Sequence, residues 1–150
     1  MSNRGGINGG VLRKGGFPYE DNLKSALDAV GPLKRGECIP VKAAGSLRCK
    51  WILNTNSPGQ SDPDGLKRCY RSVLDKMIEL KLESVIFCCI GTGGKGFYPD
   101  AAAQIAIQEV GTFLKNHLDL KVPTIRRVGF CVFTPQDKRC YEQLLPLFCN

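Results

Sequence analysis

The chain has a single histidine and no C-x-x-C pair. These two shortages remove much of the chemistry a protein of this length could carry. One imidazole, His117, leaves little scope for a Ser/His/Asp or Cys/His relay, in which a base must sit beside the nucleophile. It falls near the end of a predicted helix, where a surface or capping role is expected rather than catalysis or metal binding. The cysteines Cys38, Cys49, Cys69, Cys88, Cys89, Cys131, Cys140 and Cys149 are spaced like neither a zinc site nor a disulfide scaffold. Cys88, Cys89 and Cys131 lie in predicted strands, where cysteine behaves as a small apolar residue. No apolar run approaches the roughly 20 residues of a membrane-spanning helix. Residues 1–16 are polar, basic and glycine-rich, without the apolar centre of a secretory signal. Reduced thiols in the nucleus or cytoplasm are the resulting expectation.

Acidic residues are also in short supply, 14 against 21 lysines and arginines, for a net charge of +7. That excess reads either as an ordinary solvated surface or as a basic face for polyanions. Basic residues cluster at Lys34-Arg35, at Arg48 and Lys50, and at Arg126-Arg127. No nucleic-acid-binding motif accompanies them, so sequence-specific recognition of nucleic acid is not expected.

The length and apolar content suit one globular domain over residues 1–150. The glycines at 5, 6, 9, 10, 15 and 16 predict a loop or very short elements at the N-terminus, with a helix of only about residues 11–14. A helix is expected over 21–30, ended by Gly31-Pro32. Short strands are expected at 38–41 and 51–54, and a surface loop at 56–65. Residues 66–82 carry Leu66, Tyr70, Val73, Leu74, Met77 and Ile78 at helical spacing. A strand over 85–90, a helix over 100–118, a strand over 127–133 and a last helix through Tyr141, Leu144, Leu145 and Phe148 complete the pattern. Strands alternating with helices imply a largely parallel sheet covered on both faces.

The richest segment is 84–100. A buried strand leads into Ile90, Gly91, Thr92, Gly93, Gly94, Lys95 and Gly96, and a helix begins at Pro99 or Asp100. Glycine lets the backbone approach a ligand closely, and the free N–H groups and positive dipole end of a helix face an anion. A ligand carrying a phosphate or diphosphate is the class this arrangement suits. The spacing also satisfies G-x-G-x-x-G, but it comes late in the chain and no acid ends the next strand, as a dinucleotide fold requires. A mononucleotide P-loop fails because Phe97, not Lys-Ser/Thr, follows Gly96. A tight glycine turn with no ligand is the bland alternative.

That loop resembles the diphosphate loop of macrodomains, the ADP-ribose-binding α/β modules. The likeness extends in order through residues 36–41, 44–54, Asn56-Ser57-Pro58 and 127–133, and the pattern is most similar to macro-histone-type members. The resemblance implies a three-layer α/β/α fold with a mixed sheet. It also implies that the chain is N-terminally incomplete, since two initial strands of the family, one of them central, are not visible. Residues 1–16 would be a remnant of the first ligand loop, with Gly5, Gly6, Asn8, Gly9 and Gly10 closing over the ligand. Lys95 would lie near the diphosphate, Phe133 would stack on the base, and Phe97 would pack at the helix start. Hydrolytic members carry an Asp after a Gly-Gly-Gly-Val run. Here Gly9, Gly10 and Val11 are followed by Leu12, while Asn3 and Asn8 fit the companion asparagine poorly. The implied function is a non-catalytic module for ADP-ribose, for ADP-ribosylated proteins and for poly(ADP-ribose). It would need no metal or further cofactor and no membrane, and would have no catalytic residue. The alternatives are an ADP-ribosyl hydrolase, or a macro-like fold whose pocket is degenerate. An adenine-reading Asp on the central strand is missing too, so weakened affinity and base selectivity are expected.

Overall fold

The computed structural model describes residues 5–118 and 125–148. The elements run α1 (Gly6–Val30), β1 (Cys38–Lys42), β2 (Trp51–Thr55), α2 (Pro63–Glu79), β3 (Ser84–Cys88), α3 (Pro99–Leu118), β4 (Arg127–Cys131) and α4 (Pro135–Phe148). Helix α2 begins earlier than its apolar stripe suggests, inside the expected 56–65 loop. Asp62 caps it by accepting the Gly65 N–H at 2.7 Å, and Pro63 occupies the first turn, where its missing donor costs nothing. Cys149, at the extreme end of the chain, lies outside the described residues.

The N-terminus departs most from expectation. Residues 6–30 are helical rather than a glycine loop, entered at Gly6 with positive φ and kinked at Gly16 (φ 59°, ψ −165°), two residues before Pro18. Glycine disfavours an isolated helix, but here close packing compensates. Ser46 donates its N–H to the Lys14 carbonyl at 2.7 Å, docking the turn at 44–47 onto α1. A Cβ on Gly45 (φ +61°) would lie 2.5 Å from the Gly15 carbonyl oxygen, and one on Gly15 would lie 2.4 Å from the Tyr19 Cβ. Glycine at 45 is therefore what allows the turn to reach the helix, and glycine at 15 makes room for Tyr19 within it.

Strands β1 and β2 form an antiparallel pair, with Pro40 opposite Leu53 and Val41 opposite Ile52. Ile39, Val41 and Ile52 pack with Tyr19 of α1. Cys38 and Leu53 face the other way, into the core around α2. Three layers are thus present at this pair. Strands β3 and β4 form a separate parallel pair, Ser84 with Arg127 through Cys88 with Cys131. The expected largely parallel sheet is therefore two two-stranded sheets, one antiparallel and one parallel, and β2 is not bonded to β3. The break falls where the resemblance leaves out a central strand.

Helix α2 serves both sheets. Leu66, Tyr70, Leu74 and Met77 are fully buried. The ring of Tyr70 lies 5.1 Å from that of Phe87 in β3, Phe87 stacks on Phe130 of β4, and Phe130 meets Tyr141 of α4 at 4.8 Å. This chain of rings covers one face of the parallel pair. On the other face Ile86 is 75% exposed despite its place in an apolar strand. His117 corrects another expectation. It is buried rather than a surface residue, and its ring stacks on Phe113 at 5.7 Å, while Nε2 has no hydrogen-bond partner among the described residues.

Two measurements check this packing. Gly45→Ala should destabilise the chain by about 1–3 kcal/mol, because a side chain there meets both a positive φ and the α1 carbonyls. Gly10→Ala, where a Cβ meets nothing within 4 Å, should be neutral or stabilising by up to about 1 kcal/mol. Equal urea midpoints for the two variants would contradict the docked turn. In the second measurement, amide exchange should be fast at the β2 and β3 N–H groups outside their own ladders. Uniformly slow exchange across both strands would mean that the two sheets are joined in solution.

Candidate ligand-binding site

The glycine segment leaves β3 and turns twice before α3. Gly91 (φ +88°) makes the first turn and Gly96 (φ +80°) the second. A side chain at 91 would collide with Phe97, whose ring lies 2.7 Å from the ideal Cβ position. Phe97 is 5% exposed and belongs to the core, so it packs at the helix start as its position suggested. Its N–H donates to the Gly91 carbonyl at 3.1 Å, and the Gly96 N–H donates to Gly93 at 3.0 Å. Thr92 bonds back through its hydroxyl to the Cys89 carbonyl at 3.1 Å. Gln60 donates its N–H to the Lys95 carbonyl at 3.1 Å, tying the loop to the segment before α2.

These bonds leave the middle of the loop open. Gly93 and Gly94 are exposed, and a Cβ at either position would meet nothing within 4 Å. Neither needs glycine for internal packing or for a positive φ. Among the described residues, the N–H groups of Gly93, Gly94 and Lys95 take no part in the hydrogen bonds that close the loop. Together with the first turn of α3, they form a concentration of free donors at a helix N-terminus. Lys95 is exposed beside them and adds a positive charge. Ile90 is 7% exposed with its side chain in the core, so only its backbone can face a ligand.

Phe133 follows β4 and is 93% exposed, a bare ring at the strand end next to the one that feeds the glycine loop. Its backbone is fixed by a reciprocal cap at the start of α4. Asp137 accepts the Thr134 N–H at 2.9 Å and hydroxyl at 2.6 Å, and the Asp137 N–H donates to the Thr134 hydroxyl at 3.0 Å. The Thr-Pro-Gln-Asp sequence carried this signal, and Thr134 and Asp137 were the positioning residues left unread in it. Gln60 had no comparable local signal.

The other expected half of the site has a different form. Gly5 is the N-cap of α1, and Gly6, Asn8, Gly9 and Gly10 lie in its first turns rather than in a loop folded over a ligand. Asn8 is exposed, whereas Gly9 is buried. Asn3 lies outside the described residues. A shallow depression of about 380 Å³ adjoins the glycine loop, lined by Gln60, Ser61, Pro63, Phe97, Tyr98, Ala101 and Ile105. Burial and the charge of Asp137 push the Cys89 thiol up to about 11, so it is protonated at neutral pH and is no resting nucleophile. Among the described residues, no group of three or more His, Cys, Asp or Glu side chains could hold a metal ion.

The Macro domain family model matches residues 1–106. The ADP-ribose glycohydrolase MACROD1 of Bos taurus is 30% identical over 134 residues, which cover 79% of this chain and 40% of that protein. A protein-ADP-ribose hydrolase of Staphylococcus aureus is 34% identical over 107 residues, covering 67% of this chain and 38% of its own length. The chain therefore spans less than half the length of either relative. Among solved structures, a Trypanosoma brucei macrodomain in complex with ADP-ribose superposes with a TM-score of 0.82 at 29% identity, covering 94% of this chain and 57% of that one. The order of strands and helices, the glycine loop at a helix N-terminus and these matches agree: the chain belongs to the Macro domain family.

Proposed function

We propose that this chain binds ADP-ribose, free or attached to proteins, without hydrolysing it. The observation that carries the reading is the open centre of the glycine loop. Gly93 and Gly94 meet no protein atom that would forbid a side chain, yet both are glycine, beside unused backbone donors at the N-terminus of α3. A diphosphate pressed against the backbone accounts for that choice, because a side chain at either position would occupy the ligand's place. Lys95 and the net charge of +7 favour an anion electrostatically. Phe133 supplies a ring for the base. The solved Trypanosoma brucei relative holds ADP-ribose, which supports the same ligand here.

The second reading, hydrolysis of an ADP-ribosyl bond, draws on the names of the relatives. The N-terminal helix bears on it. Because α1 is entered at Gly5 and Gly6, the run at the junction is Gly-Gly-Ile-Asn, ending at Asn8, rather than Gly-Gly-Val-Leu ending at Leu12. In neither register does a carboxylate follow the glycines. An amide can hold a substrate water but is a poor general base. Binding without turnover is the reading these residues support, in a nuclear or cytoplasmic protein and with poly(ADP-ribose) as a further ligand of the same chemistry.

Calorimetric titration with ADP-ribose tests the proposal. Gly94→Glu should lower affinity by at least about tenfold, through steric exclusion and like-charge repulsion. Its stability should stay within about 0.5 kcal/mol of the parent, since the position is open. Unchanged affinity in a folded Gly94→Glu variant would refute the loop assignment. For the base, Phe133→Ala should weaken binding by roughly 1–3 kcal/mol, the range for loss of one stacked base, with no loss of stability from so exposed a ring. Incubation with an ADP-ribosylated protein should release no free ADP-ribose. Release that is enhanced by Asn8→Asp would favour the hydrolase reading instead.

A further inference from the structure

Cys88 ends β3, Cys131 ends β4, and the two are direct register partners in the parallel pair. Adjacent strands lie about 4.7–4.9 Å apart, within the Cα separation of about 4.4–6.8 Å that a disulfide spans. Alternation along the strands places both side chains on the face shared by Ile86 and Gly129. A Cβ on Gly129 would lie 3.7 Å from Ile86 Cγ1. On this face Ile86 is 75% exposed, while Cys88 at the strand end packs against the hydrophobic core. Cys131 is exposed and Cys88 half-buried, and both are free thiols. The neighbouring Cys89 is engaged elsewhere, its thiol donating to the Cys131 carbonyl at 3.7 Å. The pair also sits at the root of the ligand loop, because 91–96 leaves the end of β3 and Phe133 leaves the end of β4.

We propose that Cys131 and Cys88 form a peroxide-responsive thiol pair, a modification site beneath the glycine loop. The exposed Cys131 thiol reacts first. A hydroperoxide transfers one oxygen to its sulfur, giving a sulfenic acid and releasing an alcohol, or water from hydrogen peroxide. The Cys88 sulfur then attacks the Cys131 sulfur. The S–O bond breaks, the thiol proton leaves with the hydroxyl as water, and an S–S bond joins the two strand ends. The thiol pair loses two electrons and the peroxide gains them. Burial pushes the Cys88 thiol up, which disfavours its direct oxidation, and its register position opposite Cys131 makes it the resolving partner. The cross-link fixes the spacing between the roots of the glycine loop and Phe133, and it thereby changes affinity for the ligand. This last step rests on the proposed binding function, whereas formation of the bond does not.

The test is oxidation of the full chain with hydrogen peroxide, followed by non-reducing mass spectrometry and peptide mapping. The monomer should become lighter by two hydrogen atoms, with the Cys88 and Cys131 peptides linked, and dithiothreitol should reverse the change. Cys89→Ser should keep the link, which also separates the adjacent thiols in the map. Cys131→Ser, at an exposed position, should abolish it, and so should Cys88→Ala, with circular dichroism confirming the fold. Should Cys88→Ala fail to fold, the map of Cys89→Ser decides alone. A link that persists in Cys88→Ala, or Cys131 passing to sulfinic acid while Cys88 stays reduced, would overturn the proposal. ADP-ribose titration of the oxidised and reduced chain should differ by about fivefold or more. Equal affinity would overturn the coupling. A reduced chain that binds no ADP-ribose would refute the binding function while leaving the mass result to decide the thiol pair.

Discussion

The structure depends on one buried surface, the apolar stripe of α2. Two small sheets that share no hydrogen bond among the described residues are held in one body because both rest on this helix. Cys38 and Leu53 of the antiparallel pair and Phe87 of the parallel pair enter the same core as Leu66, Tyr70, Val73, Leu74 and Met77. Burying one large apolar side chain contributes about 1.5–3 kcal/mol, so this stripe outweighs any single hydrogen bond in the molecule. Its cost shows at Tyr70, whose ionisation is pushed well up by burial, with the Tyr141 hydroxyl beside its own. The ring is retained because it starts the aromatic chain from α2 through Phe87 and Phe130 to Tyr141.

The proposed ligand site follows from that arrangement. The aromatic chain fixes the parallel strands, and the ends of those strands carry the glycine loop and Phe133. The loop is then braced by Phe97 beneath Gly91 and by Gln60 on the Lys95 carbonyl, and Phe133 is braced by the Thr134–Asp137 cap. Rigid roots with an open centre are what an anion cradle needs, because preorganised donors need not be ordered when the ligand arrives. The same packing leaves Ile86 and Cys131 exposed at the strand ends beneath the loop.

Local signals made much of this legible. Helical periodicity located α2 from Leu66 onward, and Gly31 and the first residues of α3 stand where punctuation by Gly and Pro placed them. The glycine run after an apolar strand placed the loop before α3, and no local packing explains Gly93 and Gly94. Helix α1 was not legible, because six glycines in sixteen residues argue against a helix by propensity alone. Only the turn at 44–47, pressed onto Gly15, reverses that balance. His117 was misread for a related reason: a polar residue near a helix end gives no sign that Phe113 will cover it.

The sequence by itself determined the order of elements, the glycine-rich turn at 91–96 before a helix N-terminus and the absence of an acid after the N-terminal glycines. Each is a property of neighbouring residues, set by periodicity, backbone freedom and side-chain type. Tertiary structure alone decided that the sheet is divided into two pairs. It also decided that residues 6–30 are helical and that Cys88 faces Cys131 across parallel strands. Those outcomes depend on which surfaces meet across long separations in the chain. The free energy that decides them comes from burial shared between distant segments, and no window of sequence contains both partners.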